Sequence, residues 1–130
     1  MDVSRKTDDI LSLLVATILA DKRVYAREID TFLKAAKKLA QLPDAPVNLS
    51  EAKLLLWYET NSDSIKDKLS SSKFEPWLDG CLSRLRNLKG KRYITDIMTE
   101  IANADDEFHV SEKALLVLTA KHWNMDIQLH

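Results

Sequence analysis

An all-α, single-domain bundle of about seven helices is the fold this sequence predicts, and three observations predict it. Only two Gly and three Pro occur in 130 residues, too few to turn the corners of a hairpin-rich sheet protein, while Leu, Ala, Lys, Glu and Asp dominate. Apolar residues recur at spacings of three and four along most of the chain, the period of a helix packed on one face. A nine-residue pattern is repeated, as Ala20-Asp21-Lys22-Arg23-Val24-Tyr25-Ala26-Arg27-Glu28 and as Ala104-Asp105-Asp106-Glu107-Phe108-His109-Val110-Ser111-Glu112. In both copies an apolar run ends in Ala-Asp, an apolar residue follows three positions after the Asp, and a Glu follows seven after it. The duplication predicts an internal pseudo-two-fold repeat of a helix-corner-helix unit, with corners at 20–28 and 104–112.

The elements follow in order. Asp8 or Asp9 is expected to cap a first helix ending near Ala20. Its Ile10, Leu11, Leu13, Leu14, Val15, Ile18 and Leu19 cover most of the circumference, which places it in the middle of the bundle. Ile29, Phe32, Leu33, Ala36, Leu39 and Ala40 form the stripe of a second helix, stopped by Pro43 and Pro46. Ser50 with Glu51 opens a third helix to about Thr60, and Ser64 to Leu69 is expected as a short fourth. The Ser70-Ser71-Ser72 run reads as a loop. Pro76 suits the first position of a fifth helix, where its missing amide hydrogen is not needed, and Gly90 is expected to stop it. Its apolar face, Trp77, Leu78, Cys81, Leu82, Leu85 and Leu88, makes Cys81 a buried small hydrophobe. A sixth helix carries Ile94, Ile97, Met98, Ile101 and Ala102. The seventh, about Val110 to Trp123, buries Leu115, Leu116, Leu118 and Ala120, and Lys121 and His122 suit its C-terminal pole.

Composition narrows the function. Residues 1–130 make one domain, long enough to bury about two-thirds of the surface of the unfolded chain. Nineteen basic and twenty acidic residues give a net charge of −1, so no global field recruits nucleic acid or an anionic membrane. The stretch from Leu13 to Ala20 is too short to span a bilayer, the start lacks an apolar signal core, and a lone Cys81 fits a reducing compartment. A cytoplasmic location is therefore expected. No Gly-rich phosphate loop, Cys-x-x-Cys, HExxH or nucleophile motif is present, and Ser111 beside His109 and Glu112 lacks the orienting partner of a triad. The expectation is a protein with no catalytic residues. Basic clusters at Lys34, Lys37 and Lys38 and from Arg84 to Arg92, followed by Tyr93, read first as solvated faces, and nucleic acid is the lesser alternative.

The acids of the repeat carry the chemistry. Glu28 and Glu112 lie three residues after Tyr25 and His109, the expected helix caps, so each can fold back onto a free amide as half of a capping box. Asp21 and Asp105 have a less comfortable position, because a carboxylate at a helix C-terminus faces the negative pole at a cost of a few tenths to about 1 kcal/mol. Lys22 or Arg23 can compensate Asp21, whereas Asp105 is followed only by Asp106 and Glu107. The alternative to capping is that Asp21, Glu28, Asp105 and Glu112 converge where the corners pack and give oxygen ligands to a divalent cation, with calcium or magnesium favoured. The spacing is not that of an EF-hand. His109 points toward zinc only if it joins the set, and a lone loop histidine is more often solvated.

The Ala-Asp-x-x-apolar-x-x-x-Glu corner, twice in a chain of this length and helix count, resembles the TerB-like family, named for a tellurite-resistance protein and including the N-terminal region of the DjlA co-chaperone. The resemblance spans roughly Asp8 to Asn124. It implies a stress-associated protein whose paired acids have been proposed to hold a metal cation, and it implies no known reaction. Family members commonly place Gly after the Asp and Ser or Thr after the apolar residue. Lys22 and Tyr25 stand there in the first copy, and Asp106 and His109 in the second.

A protein-interaction module is the competing expectation. Leu54, Leu55, Leu56, Trp57 and Tyr58 are five consecutive bulky residues that cannot all face one core. Either neighbouring helices sandwich them, or Trp57 and Tyr58 contribute to an exposed face that meets a partner helix or a second copy of the chain. In that case the acids act only as caps.

Overall fold

The computed structural model describes residues 4–20, 28–42, 47–88, 91–102 and 110–124, and for residues 20, 28, 102 and 110–113 the backbone alone. Among the described residues there are six helices and no strand: α1 Arg5–Ala20, α2 Glu28–Ala40, α3 Glu51–Leu69, α4 Phe74–Arg84, α5 Lys91–Ala102 and α6 Val110–His122. No helix among them is long and apolar enough to cross a membrane.

The sequence places α1 at the centre, and the structure agrees. Ile10, Leu11, Leu13, Leu14, Val15, Ala16 and Ile18 are fully buried, and α1 packs against each of the other five helices. A helix with apolar side chains on nearly every face loses least free energy where no face meets water. Thr17 lies within this core, and its hydroxyl donates to the Leu13 carbonyl at 2.8 Å. Thr119 on α6 repeats the arrangement with the Leu115 carbonyl at 2.9 Å, so both buried hydroxyls are satisfied without a partner from another helix.

The start of α1 differs from expectation. Asp8 and Asp9 are inside the helix, and Ser4 caps it: the Thr7 amide donates to Ser4 Oγ at 3.1 Å and the Asp8 amide to the Ser4 carbonyl at 2.9 Å. Any of Ser4, Asp8 and Asp9 has the chemistry of a cap. The long-range partners described below draw the two acids into the helix.

The expected third and fourth helices are one continuous helix, so the described residues hold six helices where about seven were predicted. Ser50 caps α3 as expected, accepting from the Lys53 amide at 3.3 Å. The polar stretch Thr60 to Ser64 contains neither Gly nor Pro. Thr60 Oγ1 donates to the Leu56 carbonyl at 2.8 Å and Asn61 Nδ2 to the Trp57 carbonyl at 2.9 Å, each side chain folding onto its own helix. The inner face continues across the stretch through Leu54, Trp57, Tyr58 and Ile65.

The fifth predicted helix, α4, stops at Arg84, well before Gly90. Arg84 is held by a partner on α1, and the chain turns immediately after it: the Arg86 amide donates to the Ser83 carbonyl and the Leu88 amide to the Leu85 carbonyl. Lys91 Nζ donates to the Arg86 carbonyl at 2.6 Å across the turn. Pro76 lies within the first turn of α4, where no intrahelical amide bond is lost. In the remaining predicted helices Ile29 and Ala40 are exposed, Leu33, Trp77, Leu88 and Leu118 are half-buried, the Ala102 side chain lies outside the described residues, and the other expected inward residues are buried.

Candidate functional site

The four acids of the repeat fall at the ends of described helices. Asp21 follows α1 and Asp105 lies between α5 and α6, both outside the described residues. Glu28 opens α2 and Glu112 belongs to the first turn of α6, where the backbone alone is described. His109 lies outside the described residues too. The bodies that flank the two corners are neighbours: α1 packs on α2, α5 and α6, α2 packs on α5, and α5 packs on α6. Among the described residues no group of three or more His, Cys, Asp or Glu is arranged to hold a metal ion.

Trp57 and Tyr58, expected as candidates for a partner face, are core residues at 3% and 7% exposure. Phe32 of α2 explains their burial. Its ring stacks on Trp57 with centroids 5.8 Å apart and meets Tyr58 at 5.3 Å. In the run from Leu54 to Tyr58 the outward residue is Leu56, at 52% exposure. Two neighbouring aromatics can both face inward because α2 and α1 lie on adjacent sides of α3.

A polar cluster inside the bundle escaped the sequence reading. Asp9, 1% exposed, receives both Nε and Nη2 of Arg84, at 2.8 Å to Oδ2 and 2.9 Å to Oδ1. The planar guanidinium matches both carboxylate oxygens, the strongest form of this contact. Bonding to Asp9 pushes the Arg84 pKa further up. Cys81 sits beside the pair, with Arg84 Nη2 at 3.6 Å from its sulfur. Burial, aided by the Asp9 charge, pushes the thiol up to about 11, so Cys81 is the inert, protonated residue expected of its position. One residue earlier, Asp8 accepts the indole N–H of Trp57 at 2.9 Å. An acid at position 9, among the apolar residues of the most buried helix, is the signal that a cation must come from elsewhere; no local spacing identifies Arg84, 75 residues away, as that cation.

The basic clusters are largely engaged. Lys34, Lys37 and Lys38 pair with Asp30, Glu51 and Glu100 at 3.1, 3.1 and 2.6 Å. Arg84 is committed to Asp9, and Arg92 lies 3.5 Å from Asp96. These faces therefore carry neighbouring charges of both signs, not a basic stripe.

The second feature that sequence reasoning missed is a cleft of about 350 Å³ between α4 and α6. Glu75, Pro76, Leu78, Asp79, Leu82, Leu118 and His122 line it. His122 Nε2 is 2.9 Å from Asp79 Oδ1 and 3.3 Å from Ser83 Oγ, and Trp123 donates its indole N–H to the Leu82 carbonyl at 3.0 Å. These bonds pin the end of α6 to α4.

A family model described as Tellurite resistance protein TerB matches residues 7–126. No curated protein and no solved structure shows a significant match.

Proposed function

We propose, from the premise that this chain belongs to the tellurite-resistance TerB family, that it is a non-enzymatic, stress-associated domain that binds a divalent cation through Asp21, Glu28, Asp105 and Glu112. One observation supports this reading above the others: α1 packs on α2, α5 and α6, and α2 packs on α5, so the helices that flank the two acidic stretches belong to one body. Four carboxylates are a hard, all-oxygen donor set and suit calcium or magnesium better than a soft metal. A bound cation would offset the repulsion among them and the unfavourable end of the helix dipole at Asp21 and Asp105.

Isothermal titration of the whole chain with calcium, magnesium, manganese and zinc tests the reading. Saturable binding of a hard cation, lost on combining Asp21→Asn with Asp105→Asn, is expected. Absence of heat with every metal, or binding untouched by the double substitution, overturns it.

A second reading, a helix-binding or self-associating module whose acids only cap helices, is favoured by the exposure of Leu56 at 52%. On this reading light scattering after size exclusion gives an oligomer that Leu56→Glu dissociates. A strict monomer that also fails to bind a helical partner removes it.

A further inference from the structure

The cleft between α4 and α6 shares no residue with the four corner acids, and its chemistry is one-sided. Pro76, Leu78, Leu82 and Leu118 give it an apolar floor, and the polar groups that line it are Glu75, Asp79 and His122. None of the described lining residues is Lys or Arg. Glu75 makes no hydrogen bond or ion pair among the described residues, and Asp79, whose side chain is 69% exposed, is paired through Oδ1 with His122. His122 Nε2 faces that carboxylate at 2.9 Å. What the walls offer an incoming molecule is therefore acceptors and negative charge above aliphatic surface.

We propose that this cleft binds a small aliphatic amine, its ammonium group donating to the Glu75 and Asp79 carboxylates and its methylenes covering Leu78, Leu82 and Leu118. A carboxylate or phosphate ligand meets two like charges there, and a neutral alcohol gains the floor without the ion pairs. The two acids are four residues apart on α4, one turn of helix, so a single cation can lie between them. The volume favours a free amine over a docked protein segment: about 350 Å³ is at the small end of ligand pockets and far below what a stable protein interface needs.

The test uses the full chain and named probes. n-Butylamine and 1,5-diaminopentane are titrated against n-butanol, butyrate and a capped lysine tripeptide, following the methyl signals of Leu78, Leu82 and Leu118 and the ring of His122 by NMR. Saturable shifts with the two amines and none with butyrate are expected at millimolar concentration, as befits so few ligand atoms. Glu75→Gln and Asp79→Asn should each weaken the amines about threefold to fivefold; Glu75→Gln, which removes no contact within the fold, should leave the spectrum otherwise native, and the α6 signals of Asp79→Asn report whether the end of the helix holds without the ion pair to His122. Butanol binding as tightly as butylamine, a lysine tripeptide binding more tightly than the free amines, amine affinity unchanged in both variants, or no saturation each overturns the proposal. Because the corner acids are untouched, failure here leaves the metal reading standing, and failure of the metal titration leaves this one.

Discussion

Arg84 closes α4 by gripping Asp9 on α1 with two nearly parallel hydrogen bonds, yet the two ends of the pair live in different media. The Asp9 side chain is 2% exposed and that of Arg84 is 38% exposed. Removing either partner breaks the same contact, but only one removal strands a charge away from water.

The consequence is an asymmetry in stability. Arg84→Met leaves the Asp9 carboxylate buried without its cation and should cost about 3 kcal/mol in urea unfolding. Asp9→Leu frees a guanidinium that can turn to solvent, and should cost about 1 kcal/mol. The double variant Asp9→Leu with Arg84→Met should recover most of the loss. Equal costs for the two single variants, or a larger cost for Asp9→Leu, would show that burial does not govern this pair.

Cys81 carries a pH dependence of definite sign. Its folded thiol titrates at about 11 against 9.0 for the reference thiol, so the native state holds the proton more tightly. That contribution to stability is whole below pH 9 and is lost as pH rises through about 11. Labelling with a thiol reagent at pH 8 should be slow in the folded protein and should speed up in step with urea unfolding. Rapid labelling at pH 8 without unfolding contradicts the burial of the sulfur.

Trp57→Phe tests the aromatic centre. The smaller ring keeps the stack on Phe32 but loses the hydrogen bond to the half-buried Asp8, at an expected cost of about 1–2 kcal/mol. Trp57→Ala should cost about 3–5 kcal/mol, because it also opens a cavity between α1, α2 and α3. The readout is the thermal midpoint. If Trp57→Ala proves neutral, the residue is not part of the core.

Continuity of α3 can be checked with Ser62→Pro. In an unbroken helix the substitution removes an amide bond and clashes with the preceding turn, costing about 3 kcal/mol or more. If a loop separated two helices here, proline would be tolerated. A circular dichroism spectrum and urea midpoint unchanged from the parent protein would restore the two-helix arrangement.

Much of the fold was legible because helical packing writes itself locally. The three-and-four spacing of Phe32, Ala36 and Leu39, and of Ile94, Ile97, Met98 and Ile101, marks an inward stripe whatever it faces. Errors arose where two local signals competed. Polar residues at Thr60 to Ser64 resemble a break, but the same side chains can hydrogen-bond to the preceding turn of their own helix, and only packing of both halves on neighbours decides the matter. Three residues could have capped α1, and the one used was the one without a distant partner. For the candidate metal site the repeat identifies the acids, while the side chains of all four lie outside the described residues.

Sequence by itself determined that this protein is helical, that its first helix is central, that Cys81 is buried, and that it carries a duplicated acidic motif. Each is a matter of residue spacing or composition within a few turns of chain. Tertiary structure alone decided that Asp9 belongs to Arg84, that Asp8 belongs to Trp57, that both aromatics of the Trp57-Tyr58 pair turn inward against Phe32, and that Glu75, Asp79 and His122 border one cleft. Those pairings join residues distant along the chain, and their free energy comes from desolvation and geometry that exist only once separate helices share a surface.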